Sequence, residues 1–189
     1  MRKDDSDVKI FTKSNKKDEQ SELLDIVDVL GKHRENGNID KANKLGEDLA
    51  LMSVNKVVSI PYMGDLTLDE SEYIHVQYQA SVLLVFSARH FLGEYLNESL
   101  IPIAMSSLYN KLIDITPELF KNLSGGAEIS FYTLALSRDG DTAKHIGNCF
   151  AMLCKHADDG SFATYGEKLY RFMDDTILKV IKLENFQEV

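Results

Sequence analysis

Apolar residues recur at helical spacing along most of this chain, and few glycines or prolines interrupt them. Among 189 residues there are only 3 prolines and 11 glycines, and they fall between the apolar stretches rather than at the short intervals of an all-β chain. The chain is 44% hydrophobic, which is enough to bury a sizeable core. We therefore predict an all-α fold.

The densest apolar run predicts the central helix of this fold. Residues 82–86 are apolar all round, so a helix that contains them must be covered on every side. Asp69 and Glu72 have the spacing of a capping box, which indicates a helix over residues 70–96. Arg89 interrupts the run well short of the roughly 20 apolar residues that a membrane span needs. We predict a buried core helix and no membrane partner.

Capping and turn residues divide the rest of the chain into about seven to eight helices in total. Gly37 is the expected left-handed stop of the first helix, and Asn38, Asp141 and Ser161 are the expected N-caps of later ones. The expected helices cover residues 21–36, 39–58, 70–96, 97–115 or 99–115, 117–123, 127–137, 142–157 and 162–183. Their helical hairpins are compatible with an α-solenoid-like array or with an irregular orthogonal bundle around the central helix.

The pattern also predicts the domain organisation. Residues 1–18 are charged and aperiodic, which indicates an N-terminal tail. Residues 19–189 then form a single all-α domain, in which the loop 59–68 is a candidate sub-boundary because it carries Pro61 and Gly64.

Charge and cysteine content restrict the function classes. Acidic residues outnumber basic ones 30 to 21, giving a net charge of -9, which argues against binding to nucleic-acid phosphates. The 2 cysteines, Cys149 and Cys154, are too few and too close for the disulfide framework of a small secreted domain. Because residues 1–20 also lack the apolar stretch of a signal peptide, we expect a cytoplasmic protein.

One hairpin resembles a known repeat. Leu30, Gly37, Ile39 and Ala42 fall near the small or apolar positions of a tetratricopeptide unit, and the segment Gly-Asn-Ile-Asp-Lys-Ala is similar to its turn. The resemblance covers about residues 23–56. It implies helical-hairpin stacking of the α-solenoid kind and carries no binding residues with it.

The chain also contains an internal similarity. Residues 30–39 parallel residues 153–162, and the segment Gly46–Leu49 is echoed by Gly166–Leu169. Two interpretations stay open: two related hairpins, or convergence on the same favourable turn chemistry.

Histidines and cysteines near residue 150 form the first candidate metal cluster. His145, Cys149, Cys154 and His156 are the residue types that bind soft metals. Cys154 points to nearly the opposite side of the expected helix from Cys149, so this helix alone cannot build a tetrahedral site. We expect both cysteines to be buried as small apolar residues, and a metal site would need ligands from another helix.

Four further residues are candidates for a metal site. Glu72 and His75 have the carboxylate–imidazole spacing of di-iron helical bundles, although a second such pair is absent. Glu22 and Asp25 belong to a series of acidic residues at every third position. The competing expectation for all four is a solvated helix face.

Tyrosines provide the remaining lead. They are amphipathic and could line a groove for a protein or peptide partner, or could instead belong to the core and its margin. The candidates for partner binding are Tyr73, Tyr78, Tyr132, Tyr165 and Tyr170.

No complete catalytic or phosphate-binding motif occurs in the sequence, which favours a role without enzymatic activity and without a cofactor. We predict a protein-protein interaction or regulatory module, and an exposed apolar stripe on a hairpin would equally suit a homodimer. The alternative is a metal-dependent hydrolase or a small-ligand-binding helical bundle, because all-α enzymes often build their sites from scattered residues.

Overall fold

The structure is a computed structural model that describes the backbone of residues 16–55 and 66–189 and the side chains of residues 24–55, 66–123 and 126–189. Within these ranges the chain forms eight helices and no strand, which confirms the all-α prediction. The helices are α1 (Lys16–Glu35), α2 (Asn38–Val54), α3 (Glu70–Tyr95), α4 (Ile101–Ile115), α5 (Pro117–Gly125), α6 (Glu128–Leu136), α7 (Thr142–Leu153) and α8 (Gly160–Glu184). The predicted tail 1–18 and loop 59–68 lie largely outside the described residues.

The predicted buried helix is α3. It packs against α2, α4, α5, α6, α7 and α8, and its residues 82–88 are all buried. Apolar side chains from α2 to α8 join this stretch in one buried cluster. A helix that is apolar on every side is stable only when other helices pack against all of its faces, which explains why α3 contacts six of the described helices. None of the helices described for this chain has the length and apolar character to cross a bilayer.

Two helix pairs pack most closely, α2 with α4 and α7 with α8, and α8 also lies along α3. The Tyr95 hydroxyl on α3 donates a hydrogen bond of 2.5 Å to the Asp174 carboxylate on α8. This bond is the main reason that the pKa of Tyr95 rises to about 12, because a proton held by a carboxylate is difficult to remove.

Two of the expected caps are confirmed. Asp69 accepts a bond from the Glu72 N–H at 2.8 Å, and the Glu72 side chain accepts one from the Asp69 N–H at 3.1 Å, which completes the capping box of α3. Asp141 accepts from the N–H groups of Ala143 and Lys144 and caps α7.

Two other expected caps are wrong. Gly37, with φ +76°, occupies the N-cap position of α2, and Asn38 is the first helical residue. The Asn38 side chain is used in a different contact, described below. At α8 the cap is Asp159, which accepts from the Ser161 N–H at 2.8 Å, so the helix begins before Ser161.

Helix α7 ends at Leu153, before the expected end at residue 157. Lys155 adopts a left-handed conformation with φ 65°. The His156 N–H then bonds to the Ala151 carbonyl at 2.8 Å, and the Lys155 N–H bonds to the Met152 carbonyl at 3.0 Å. These bonds close the carbonyl end of the helix without a glycine, which is why no stop signal is visible in the sequence here.

Helix α1 carries apolar residues on its surface. Leu24, Ile26 and Val27 are 66%, 53% and 63% exposed. Among the described helices α2 is the main neighbour of α1. Residues 24–28 are exposed all round the helix, so this part of α1 presents apolar side chains in more than one direction.

Candidate functional site

A network of hydrogen bonds holds the segment that follows α8, residues 185–189, which we call the docked segment. It lies against the turn between α1 and α2, where Asn38 contacts Gln187. The Gln187 N–H donates to Asn38 Oδ1 at 2.9 Å, and Asn38 Nδ2 donates to the Gln187 carbonyl at 2.8 Å. Asn38 thus binds both main-chain groups of one residue, as a neighbouring strand would.

Neighbouring side chains fix the orientation of Asn38, which is completely buried. Since Nδ2 must be the donor to the carbonyl, its second hydrogen points to Nδ1 of the buried His33, 2.8 Å away. Nδ1 must then accept, which leaves the proton of a neutral imidazole on Nε2, 2.8 Å from Ser99 Oγ. Ser99 donates in turn to Asn97 Oδ1 at 2.6 Å. One donor and acceptor assignment therefore satisfies the whole network.

Two lysines of α2 complete the contact with the end of α8 and the docked segment. Lys41 Nζ donates to the Asn185 carbonyl at 2.9 Å and lies 5.9 Å from the centre of the Phe186 ring. Lys44 forms an exposed ion pair with Glu184 at 3.4 Å. Asn185 has φ 49°, a left-handed conformation that turns the chain out of α8 toward α2. Main-chain groups therefore provide most of the polar contacts of the docked segment.

No sequence pattern indicated this site. The turn residue Asn38 was expected to cap α2, and the docked segment carries no periodic pattern. The contact joins residues 149 positions apart, so no local signal could have revealed it.

A second pocket collects candidates from both predicted metal clusters. It has a volume of about 260 Å³, and Glu72 and His75 on α3 line it together with Cys154 and His156, which follow α7. Glu72 Oε1 lies 3.6 Å from His156 Nε2, and His75 Nε2 donates to the Leu153 carbonyl at 3.0 Å. The neighbouring helix needed for a composite site is thus α3.

The side chains in this pocket are nevertheless engaged in other contacts. Glu72 completes the capping box of α3, and the His156 ring stacks on Phe162 with centroids 3.9 Å apart. Burial raises the pKa of Cys154 to about 12, so its thiol stays protonated near neutral pH. In the part of the chain that the structure describes, no three His, Cys, Asp or Glu side chains are placed to hold a metal ion.

The remaining metal candidates lie elsewhere. Asp25 is exposed on α1, and the side chain of Glu22 lies outside the described residues. His145 donates from Nε2 to the Asp139 carbonyl at 2.9 Å, where it supports the turn before α7. Cys149 is buried, as expected of a small apolar residue.

The five candidate tyrosines separate into two groups. Tyr73 and Tyr78 are half-buried and line a groove of about 250 Å³ between α3 and the start of α5. Tyr132, Tyr165 and Tyr170 are only 0%, 2% and 5% exposed and contribute to the core. The second group therefore presents almost no surface to a partner.

Substituting Tyr132 by phenylalanine is expected to stabilise the protein. The Tyr132 hydroxyl is buried without a hydrogen-bond partner among the described residues, so its removal eliminates a desolvation penalty. The ring contact with Phe86, 5.1 Å between centroids, is retained. We expect a gain of about 1 kcal/mol in the free energy of unfolding, measured by urea denaturation. A loss of stability would indicate a hydrogen bond to this hydroxyl.

Comparison with known proteins returned no match to a protein-family model, to a curated protein or to a solved structure. We therefore infer function from the contacts described above.

Proposed function

We propose that this chain is a protein-protein interaction module whose α1–α2 hairpin binds an extended segment of a partner protein, in the place that the docked segment occupies within the chain. The observation that carries the proposal is the pair of hydrogen bonds between Asn38 and the main chain of Gln187. Main-chain pairing of this kind is how many interaction domains hold extended peptides, because it does not depend on the peptide side chains.

The surroundings of Asn38 support a binding role. His33 holds the Asn38 amide in place, so the site is preorganised and a bound segment does not have to order it. Lys41 and Lys44 offer cations to a segment that carries acidic residues. The exposed apolar residues of α1 provide further contact surface on the same hairpin.

The docked segment gives the module a regulatory element. A covalently attached segment acts at an effective concentration in the millimolar range, so a partner must compete with it. The apparent affinity for a partner equals the affinity of the open site multiplied by the fraction of molecules whose site is open, so it is lower than that of a permanently open site. We further propose a cytoplasmic location, which the free thiols of Cys149 and Cys154 support.

The test uses two substitutions at Gln187 in the full chain. Gln187→Pro removes the N–H that donates to Asn38, whereas Gln187→Ala keeps both main-chain groups and is the matched control. A labelled peptide of residues 184–189 is titrated into each protein by fluorescence anisotropy. We expect the Gln187→Pro protein to bind the peptide at least about ten-fold more tightly than the wild type and the Gln187→Ala protein, because its site is open.

A further substitution shows whether Asn38 is responsible. Adding Asn38→Ala to the Gln187→Pro protein should weaken peptide binding by about ten-fold or more, since two hydrogen bonds are lost. Asn148→Ala, at an exposed asparagine of α7, should change nothing. Hydrogen exchange provides a readout that needs no peptide: the Gln187 amide should exchange slowly in the wild type and at least about ten-fold faster with Asn38→Ala. Equal peptide binding by all these proteins would contradict the proposal.

A further inference from the structure

A further pocket, distinct from the one at the start of α3, shares no lining residue with the docked-segment site. This pocket has a volume of about 330 Å³, which falls within the size range of small-molecule sites. Four helices, α3 to α6, supply its walls. Apart from Arg89, the lining residues are Val85, Phe86, Tyr109, Phe120, Leu123 and Ile129.

Arg89 is the single charged residue of this lining. It lies one helical turn after Val85 and Phe86, so it continues the α3 face that the two apolar residues begin. Its neighbours Ala88 and Phe91 are buried, whereas Arg89 is exposed. The position therefore combines an apolar cavity with a cation at its edge.

The Arg89 guanidinium has no ion pair or hydrogen bond with any other residue in the described ranges. Arg89 has no acidic partner among the described residues, although acidic residues outnumber basic ones 30 to 21 in this chain. By contrast, Arg171 on α8 bonds to both Glu167 and Asp141. The N–H donors of the Arg89 guanidinium are thus available to an anion from outside the chain.

We propose that this pocket binds a small hydrophobic carboxylic acid, with its apolar part among the side chains of α3 to α6 and its carboxylate on Arg89. A planar guanidinium matches a carboxylate through two parallel hydrogen bonds. A single cation suits a monoanion better than a phosphate, which has more charge and more acceptor oxygens to satisfy. The net charge of -9 opposes attachment to an anionic lipid surface, so the ligand is a free acid.

The experiment is a calorimetric titration of the full chain with octanoate, and with octanamide as the uncharged ligand of matched shape. We expect one octanoate to bind, with an affinity that increases about four-fold for each methylene along the series from butyrate to octanoate. Arg89→Gln should reduce the octanoate affinity at least about ten-fold and leave octanamide binding unchanged. Arg138→Gln, at an exposed arginine outside the pocket, is the matched control for loss of one positive charge and should bind octanoate as the wild type does.

Three results would overturn the assignment. The first is equal octanoate affinity in the wild type and the Arg89→Gln protein, which would show that Arg89 does not contact the carboxylate. The second is an affinity that does not increase with the length of the fatty acid chain, which would show that the apolar lining does not contact the ligand. The third is binding to vesicles of anionic phospholipid by a protein that does not bind octanoate, which would assign Arg89 to a lipid surface.

Discussion

Replacing Gly46 by alanine is expected to lower the free energy of unfolding by about 3 kcal/mol, because α2 and α4 meet at this residue without room for a side chain. A Cβ atom on Gly46 would overlap the Ala104 carbonyl oxygen and lie 2.9 Å from the Leu108 nitrogen. Both are backbone atoms of α4, which cannot move aside as a flexible side chain would. The helices must separate, and every apolar contact between them weakens.

Thermal unfolding followed by circular dichroism measures this effect. For a chain of this size, a change of about 3 kcal/mol corresponds to a decrease of roughly 6–12 °C in the midpoint. Gly93→Ala is the matched control, because Gly93 is also helical but a Cβ atom there would meet no atom within 4 Å. It should stabilise the protein by about 0.5–1 kcal/mol. Equal midpoints for the two variants would show that α2 and α4 do not approach so closely.

The same kind of contact joins α7 and α8. A Cβ on Gly147 would overlap the Ala163 carbonyl oxygen, and one on Gly166 would lie 2.5 Å from the Phe150 Cβ. Gly46 and Gly166 occupy equivalent places in the internal sequence similarity, yet Gly46 faces backbone of α4 whereas Gly166 faces a side chain of α7. The two turns also differ, because the left-handed residue is Gly37 in the first and Lys155 in the second. These differences favour convergence over two related hairpins.

Many features set by neighbouring residues could be predicted from the sequence, although the cap of α8 and the end of α7 could not. Apolar spacing predicted the all-α fold and the long buried helix α3, and the Asp69 and Asp141 caps are confirmed because a cap bonds to backbone within its own first turn. The Ser161 cap failed locally, because Asp159, two residues earlier, accepts a free N–H in the first turn of α8. The Asn38 cap failed for a different reason, because a distant residue competes for its side chain. Asn38 has the chemistry of a cap, but its amide binds Gln187, and no spacing rule relates these two positions.

The candidate sites show the same limit. The pairing of Glu72 with His156 needs the turn after α7 to lie against the start of α3, a contact that follows from packing and not from spacing. Arg89 could be recognised in the sequence only as an interruption of an apolar run. The cavity beside it depends on residues from three other helices.

Both cysteines are expected to react with a thiol reagent on the order of a thousand-fold more slowly in the native protein than in the unfolded chain at pH 8. Burial raises the pKa of Cys149 and of Cys154 to about 12. Only the thiolate attacks the reagent, and its population at pH 8 is correspondingly small. Exposures of 8% and 2% slow the reaction further.

The pH dependence gives the sign of this effect. The folded-state pKa of each thiol lies above its unfolded value of about 8.5. The stability that comes from keeping the buried thiols neutral is therefore complete below about pH 8.5 and is lost as the pH rises toward about 12. The native labelling rate should therefore increase about ten-fold per pH unit from about pH 8 to 10 without reaching a plateau. The unfolded chain should level off within the same range.

The measurement is labelling with a disulfide reagent, in buffer and in concentrated urea, on the wild type and on the single variants Cys149→Ala and Cys154→Ala. Alanine is used because it leaves no buried hydroxyl without a partner. Fast native labelling of the Cys149→Ala protein would locate a thiolate at Cys154, beside His75 and His156. A thiolate there would be a competent metal ligand, so this one result would favour the pocket at the start of α3 over the docked-segment site as the functional centre.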